Sequence, residues 1–159
     1  MLLAQLTDTH ITVPQTKNEN CYVKLEALKK CVLQINKLDT LPDVVIHTGD
    51  LSHNGHEDEY TLTKSIMDEL QVPYLITAGN RDSVKNLVNE FGLASKRNLD
   101  QHFIQYSADI TSYRLVSVDT SSQDSNLGFL DFQKLAHLDK LLGKNPDRPT
   151  IIFMHDPPI

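Results

Sequence analysis

The chain has 159 residues, 40% of them hydrophobic and 23% charged, which suits one globular domain with a sizeable core. Fifteen Lys and Arg stand against 21 Asp and Glu, a net charge of −6, which argues against specific nucleic-acid binding because tracking phosphates needs clustered basic residues. No apolar run reaches 18 residues, so no membrane span is expected. The first ten residues carry no basic stretch and meet Asp8 too early for a secretory leader, and a cytoplasmic location is the expectation.

Residues 2–6 form a short apolar run that ends at Thr7-Asp8, with no room for a helix. Residues 20–38 carry Cys21, Leu25, Leu28, Val32 and Ile35 at 4-3-4-3 spacing, one face of an amphipathic helix. Leu41-Pro42 ends it. Residues 43–47 (DVVIH) are short and β-branched and predict a buried strand that stops at Thr48-Gly49-Asp50. Residues 57–70 read as a helix with acidic residues in its first turn, where they suit the dipole. Residues 73–77 (PYLIT) predict a strand running into Gly79-Asn80-Arg81-Asp82, and Ser83 is placed to cap a short helix to about Glu90. Residues 102–106 and 113–118 alternate and predict an antiparallel pair with a turn over 107–112. A helix over 132–142 and a last buried strand over 150–154 (TIIFM), ending at His155, complete the pattern. Strand–helix–strand alternation of this kind predicts an α/β fold with a largely parallel sheet.

Cys21 and Cys31 fall in one predicted helix, ten residues or about 15 Å apart along its axis. Disulfide geometry needs Cα atoms about 4.4–6.8 Å apart, so these two are expected to be reduced packing residues.

Ligands of parallel sheets sit beyond the carboxyl ends of the strands. Those ends read Asp8-Thr9-His10, Gly49-Asp50, Gly79-Asn80-Arg81-Asp82, Asp119 and His155-Asp156. Two divalent cations need a shared anionic bridge with oxygen and imidazole ligands on each side. Asp8 and Asp50 supply charge, His10 and His155 imidazoles, and Asn80 a carbonyl oxygen. Taken singly, each is commonplace: Gly49-Asp50 is more often a turn, and Asn80 a turn or a cap. His47 reads as a core histidine, and His102 and His137 as surface or packing residues. Five ligand types, all at strand ends and in one chain order, make the joint signal.

These blocks resemble the calcineurin-like metallophosphoesterase superfamily, whose motifs run D-x-H, G-D, G-N-H-[DE], H and G-H-x-H. The flanking text is most similar to the class III cyclic-nucleotide phosphodiesterase and glycerophosphodiesterase branch: LLAQLTDTH over 2–10, G-D-L-x₃-G-x₃-E-Y over 49–60, SVDTS over 117–121 and FMHDPPI over 153–159. The resemblance implies a metallophosphoesterase-like β-sandwich flanked by helices. It also implies two divalent metal ions (Mn, Fe or Zn) and hydrolysis of a phosphodiester, such as cAMP or a glycerophosphodiester, by a metal-bound hydroxide. Asp50 would bridge the ions, with Asp8 and His10 on one side and Asn80 and His155 on the other. Asn80 would also touch a phosphate oxygen, and His53 and Asn54 of the 49–60 segment are candidate substrate contacts. Relatives in this branch commonly dimerise, which makes a homo-oligomer the analogous expectation.

Two departures stand out. The family's G-N-H-[DE] histidine is Arg81 here. Arginine cannot act as a general acid at neutral pH but can grip a phosphate. Arg81 is therefore expected to bind the substrate phosphate or stabilise charge, leaving protonation of the leaving group to water or a nearby histidine. The G-H-x-H block, with two further histidine ligands, does not occur in the sequence, which ends four residues after His155. Residues 1–159 are accordingly expected to be the N-terminal two-thirds of the usual domain, with the C-terminal part of the second sheet missing. Asp156, where relatives often have another histidine, is expected to orient His155. The competing reading is a truncated or degenerate domain that binds without catalysing. A metal-free nucleotide-binding domain lacks the glycine-rich motifs it would need.

Overall fold

The computed structural model describes residues 1–13, 20–93, 103–122 and 128–157, the side chains of residues 20 and 21 excepted. Two three-stranded sheets stack between helices. The first is wholly parallel, in the order β1 (Leu3–Leu6), β2 (Val44–His47), β3 (Tyr74–Ile76). Between its strands run α1 (Asn20–Asn36) and α2 (Glu57–Met67), and α3 (Val84–Glu90) follows β3. The second sheet is mixed. β4 (Tyr106–Ile110) pairs antiparallel with β5 (Tyr113–Ser117), which pairs parallel with β6 (Thr150–Phe153) across the crossover helix α4 (Phe132–Gly143). Among the described residues, no helix is long and apolar enough to cross a membrane.

The sandwich follows from which side of each strand is apolar. Val44 and Ile46 of β2 meet Leu115 of β5 and Phe153 of β6 in one cluster, joined by Leu87 and Val88 of α3. The next residue along β5, Val116, faces the other way and packs with Leu141 of α4. On the far side, Leu25, Leu28 and Val32 of α1 pack with Ile66 and Met67 of α2 and with Ile11. The 25-28-32-35 stripe is therefore the buried face of α1, at 8%, 2%, 1% and 9% exposure, worth about 1.5–3 kcal/mol per large side chain. Cys31 lies off that stripe and is exposed with a free thiol, so it is not the packing residue expected. Cys21 lies outside the described side chains.

Ser83 caps α3 as expected, its hydroxyl accepting from the Asn86 N–H. α2 ends three residues early because its last turn tightens: Glu69 and Leu70 donate to the Ile66 and Met67 carbonyls. The larger correction concerns β4, which lies at Tyr106–Ile110 rather than over 102–106. The segment before it is tied by side chains instead of a ladder: the Ile104 N–H donates to Asp119, and the Gln105 amide donates to the Lys134 carbonyl. A two-residue turn at Thr111 (φ 53°) and Ser112 then sets the hairpin register. His102 lies outside the described residues.

Side chains also sew the sheets together. Tyr106 of β4 reaches β3, where its hydroxyl donates to the Ile76 carbonyl and accepts from the Ile76 N–H. Thr77 donates to the Val118 carbonyl. These bonds bring the carboxyl ends of both sheets to one edge, where the site lies.

Candidate metal centre

Beyond the ends of β1 and β2 the two chains stay paired. Asp8 donates to the Gly49 carbonyl, His10 to Asp50, and Ile11 to Leu51. Following this path forces Asp8 (φ 54°), His10 (φ 43°) and Asp50 (φ 54°) into the left-handed region, at a cost of roughly 1–2 kcal/mol each. Only Thr111 shares that conformation among the described non-glycine residues. Backbone strain thus gathers at one place.

His47, fully buried at the end of β2, sets the spacing of these turns. Its Nδ1 accepts from the Gly49 N–H at 3.3 Å, so Nε2 carries the proton and donates to Thr9 Oγ1 at 3.1 Å. The Thr9 hydroxyl in turn donates to the Leu51 carbonyl. Burial pushes this imidazole down to about 3, and it stays neutral at physiological pH. The core role expected of His47 holds, with a structural tether added to it.

Glycine permits the third turn to close in. A Cβ on Gly79 would stand 2.2 Å from Asp50 Oδ1 and 2.3 Å from the Asp50 nitrogen, and one on Gly49 would stand 2.8 Å from both Gly79 and His155. With that room, the Arg81 N–H donates to Asp50 Oδ1 at 2.8 Å. Asn80 is half-buried between Gly79 and Arg81, and the Arg81 side chain is exposed at the rim.

His155 arrives from the second sheet, 107 residues from its partner: Nδ1 donates to the Thr48 carbonyl at 2.9 Å. That bond turns Nε2 toward Asp50 Oδ1, 3.7 Å away. The orienting group is therefore the Thr48 carbonyl, not Asp156, whose Oδ1 lies 4.0 Å from Nε2, beyond hydrogen-bond reach. Asp156 is itself held by its backbone N–H on Thr120 Oγ1. His10 Nε2 completes the group, 3.5 Å from Asp8 Oδ1 and 3.5 Å from Asp50 Oδ2.

These separations fit a divalent cation. Two ligands each about 2.0–2.2 Å from one ion, at octahedral to tetrahedral angles, stand roughly 2.8–3.6 Å apart. The distances here are 3.5–3.7 Å, too long for good hydrogen bonds. One donor atom each from Asp8, Asp50 and His155 lies within 4.8 Å of the others. Among the described residues no lysine or arginine pairs with Asp8 or Asp50, although Asp50 is 3% exposed. Such a buried carboxylate needs a positive partner.

The other predicted residues occupy distinct places. His53 is half-buried edge-on to His10, ring centroids 5.7 Å apart, and its Nδ1 has no hydrogen-bond partner among the described residues. Asn54 is exposed, and its amide nitrogen donates to Glu59 at 2.7 Å. Asp119 is buried away from the cation gap, its oxygens taken by Ile104, Ser121 and Lys134. His137 is a packing residue, edge-on to Phe103 at 5.8 Å. Sequence reasoning gave no role to the tethers, Glu59, Tyr60 and Asp82, although the E-Y pair stood in the motif over 49–60 and Asp82 among the strand-end residues.

A two-sheet sandwich with carboxylates and imidazoles gathered at one edge is the form of a metallophosphoesterase, and the chain belongs to the calcineurin-like phosphoesterase family, whose model matches residues 1–159. It is 35% identical over its whole length to a probable glycerophosphodiester phosphodiesterase GpdQ of Arcobacter nitrofigilis, and covers 58% of that protein. It is 32% identical to a probable cyclic nucleotide phosphodiesterase of Rhodopseudomonas palustris, over 99% of this chain and 58% of the relative. The chain thus spans somewhat over half the length of the curated relatives it matches. A dimetal phosphatase from Danio rerio superposes with a TM-score of 0.65 over 96% of this chain and 68% of that one, at 16% identity. Purple acid phosphatase PPD1 of yellow lupin gives 0.61 over 96% and 30%, at 17% identity. At those identities the likeness is one of fold.

Proposed function

We propose that residues 1–159 form the N-terminal two-thirds of a metallophosphoesterase domain that hydrolyses a small phosphodiester at a two-cation centre. The observation that carries this reading is the placement of Asp50, which turns Oδ2 toward His10 and Oδ1 toward His155. In this reading Asp8 and His10 would hold one cation and Asn80 and His155 the other, with Asp50 a ligand available to both. Bound there, divalent cations such as Mn, Fe or Zn supply Lewis acidity toward water and phosphate oxygens.

The chain's own groups divide the remaining work. A phosphodiester oxygen lies against Asn80, and the exposed Arg81 guanidinium pairs with the phosphate from the rim. Being always charged, Arg81 serves as a clamp and not as an acid. Water adds to phosphorus in line with the departing alkoxide, one P–O bond forming as the other breaks. The attacking water releases one proton to solvent as it bonds to phosphorus, and the alkoxide takes one from water or from a neighbouring protonated imidazole, so that the protons balance. His53 faces the substrate beside His10, while Asn54, its nitrogen engaged by Glu59, offers its carbonyl oxygen. The relatives' names support a glycerophosphodiester or a cyclic nucleotide as substrate.

The test is elemental analysis of the 159-residue chain after stripping and Mn²⁺ loading, followed by assay on glycerophosphocholine, 3′,5′-cAMP and p-nitrophenyl phosphate. The expected result is about two ions per chain and turnover of a diester above the monoester. Fewer than two ions, or no diester turnover by a fully loaded chain, overturns the reading. Arg81→Ala is expected to lower diester turnover more than tenfold at unchanged metal content.

A further inference from the structure

Two adjacent residues of α2, Glu59 and Tyr60, are both fully buried at 0% exposure, and neither supplies a group to the cation gap. Glu59 closes its own loop: its carboxylate accepts from the Asn54 N–H, the Asn54 amide and the His56 N–H. Tyr60 reaches a different segment. Its hydroxyl donates to Asp82 Oδ1 at 3.0 Å and accepts from the Ser83 N–H at 2.7 Å. Asp82 then accepts from the N–H groups of Leu51 (3.2 Å), Ser52 (3.2 Å) and Gly79 (2.9 Å).

One carboxylate therefore takes three backbone N–H groups and a phenol, and ties together the turn after Asp50, the turn bearing Asn80 and Arg81, and the first turn of α2. Setting a fully buried phenol against a half-buried carboxylate is costly, and the cost is offset by the four hydrogen bonds that the carboxylate accepts. Burial raises both the Asp82 carboxyl, to about 6, and the Tyr60 phenol. The turn at Asp8 and His10 meets this cluster only at second hand, through residues 49–51, of which Leu51 also donates to Asp82. It is held by its own backbone ladder to residues 49–51 and by Thr9 and His47.

We infer that Tyr60 and Asp82 are a positioning pair that holds the turn of residues 79–83 against Asp50 and thereby sets the His155-side cation position alone. The inference rests on the two-cation reading above. It assigns an asymmetric effect: loosening the pair moves Asn80 and leaves Asp8 and His10 in place.

The experiment compares Mn²⁺ binding by the full 159-residue chain, by Tyr60→Phe and by a stability control, Val88→Ala. Val88 is a buried α3 residue of the same core. Calorimetric titration and electron paramagnetic resonance of the loaded proteins are the readouts, with melting temperature recorded for each. Tyr60→Phe is expected to keep the first ion at unchanged affinity, to bind the second at least tenfold more weakly, and to lose the spin-coupled two-Mn signal. Val88→Ala is expected to retain both ions despite a comparable loss of melting temperature. Asp82→Asn, which sets an amide against the same backbone donors, is the second variant and is expected to repeat the selective loss. Tyr60→Phe and Asp82→Asn binding both ions like the parent chain overturns the inference, as does an equal loss of the second ion in Val88→Ala. A parent chain that itself binds fewer than two ions overturns the two-cation reading and this inference with it, and shows itself before any variant is made.

Discussion

Asp50 and Asp119 occupy the same topological station, two or three residues past the end of the middle strand of their sheet, and both are buried. Their surroundings separate them. The Asp119 carboxylate is saturated: Oδ2 accepts from Ile104 at 2.8 Å, Oδ1 accepts from the Ser121 N–H and hydroxyl, and Lys134 Nζ stands 3.6 Å away with its charge. Asp50 accepts one N–H, from the Arg81 backbone, and otherwise faces imidazoles at 3.5–3.7 Å, with no lysine or arginine side chain paired to it among the described residues. A strand-end aspartate thus becomes a staple when its sheet supplies donors, and stays open to a positive partner when the donors are withheld. The first sheet builds most of the site from three adjacent parallel strand ends, and the second contributes His155 and spends Asp119 on its own cohesion.

The comparison is broken most sharply by removing each charge in turn. Asp50→Asn is expected to abolish cation binding, by more than about 100-fold in Mn²⁺ affinity, with the fold retained by circular dichroism. Asp119→Asn is expected to do the reverse, lowering stability by about 3–5 kcal/mol in urea melts as Lys134 is left buried and unpaired, while the folded chain binds Mn²⁺ in the parent's stoichiometry. Asp119→Asn losing its metal, or Asp50→Asn keeping it, would erase the distinction.

Gly79→Ala tests the close approach itself. Its Cβ collides with the Asp50 backbone as well as its carboxylate, and backbone cannot swing aside. A loss of about 2–3 kcal/mol together with weakened cation binding is the expected outcome, measured by melting and titration. A neutral result would show that the three turns are looser than the hydrogen bonds imply.

Acid stability sharpens the contrast between tether and ligand. The folded pKa of His47, about 3, lies below its unfolded value of 6.5, so its contribution is fully present above 6.5 and is lost as pH falls toward 3. Compared with His47→Gln, whose amide can still donate to Thr9, the metal-free parent chain should lose about 1.4 kcal/mol more per pH unit between roughly pH 6 and 4. Parallel slopes in chemical denaturation at several pH values would place the titrating proton elsewhere. The smallest effect belongs to Cys31→Ser, within about 0.5 kcal/mol of the parent and without change in metal content, since that thiol is exposed and lies off the buried stripe of α1.

Much of this protein is legible in its sequence because the signals are local. The 25-28-32-35 stripe is a property of one helix, Ser83 caps its own turn, and ligand-type residues stand at each strand end beside the glycines that let the turns approach. The register of β4 was not legible, because the segment before it is held by Asp119 and Lys134, fifteen and about thirty residues away, and not by its own alternation. Nor was the difference between Asp50 and Asp119, the orienting of His155 by Thr48 from 107 residues away, or the gathering of three turns by Tyr60 and Asp82. Residue type and spacing depend on near neighbours along the chain, and so the sequence by itself determined which chemistry is available. Which carboxylate is saturated and which is left facing imidazoles depends on donors brought in by the packing of the two sheets, and only the tertiary structure decided it.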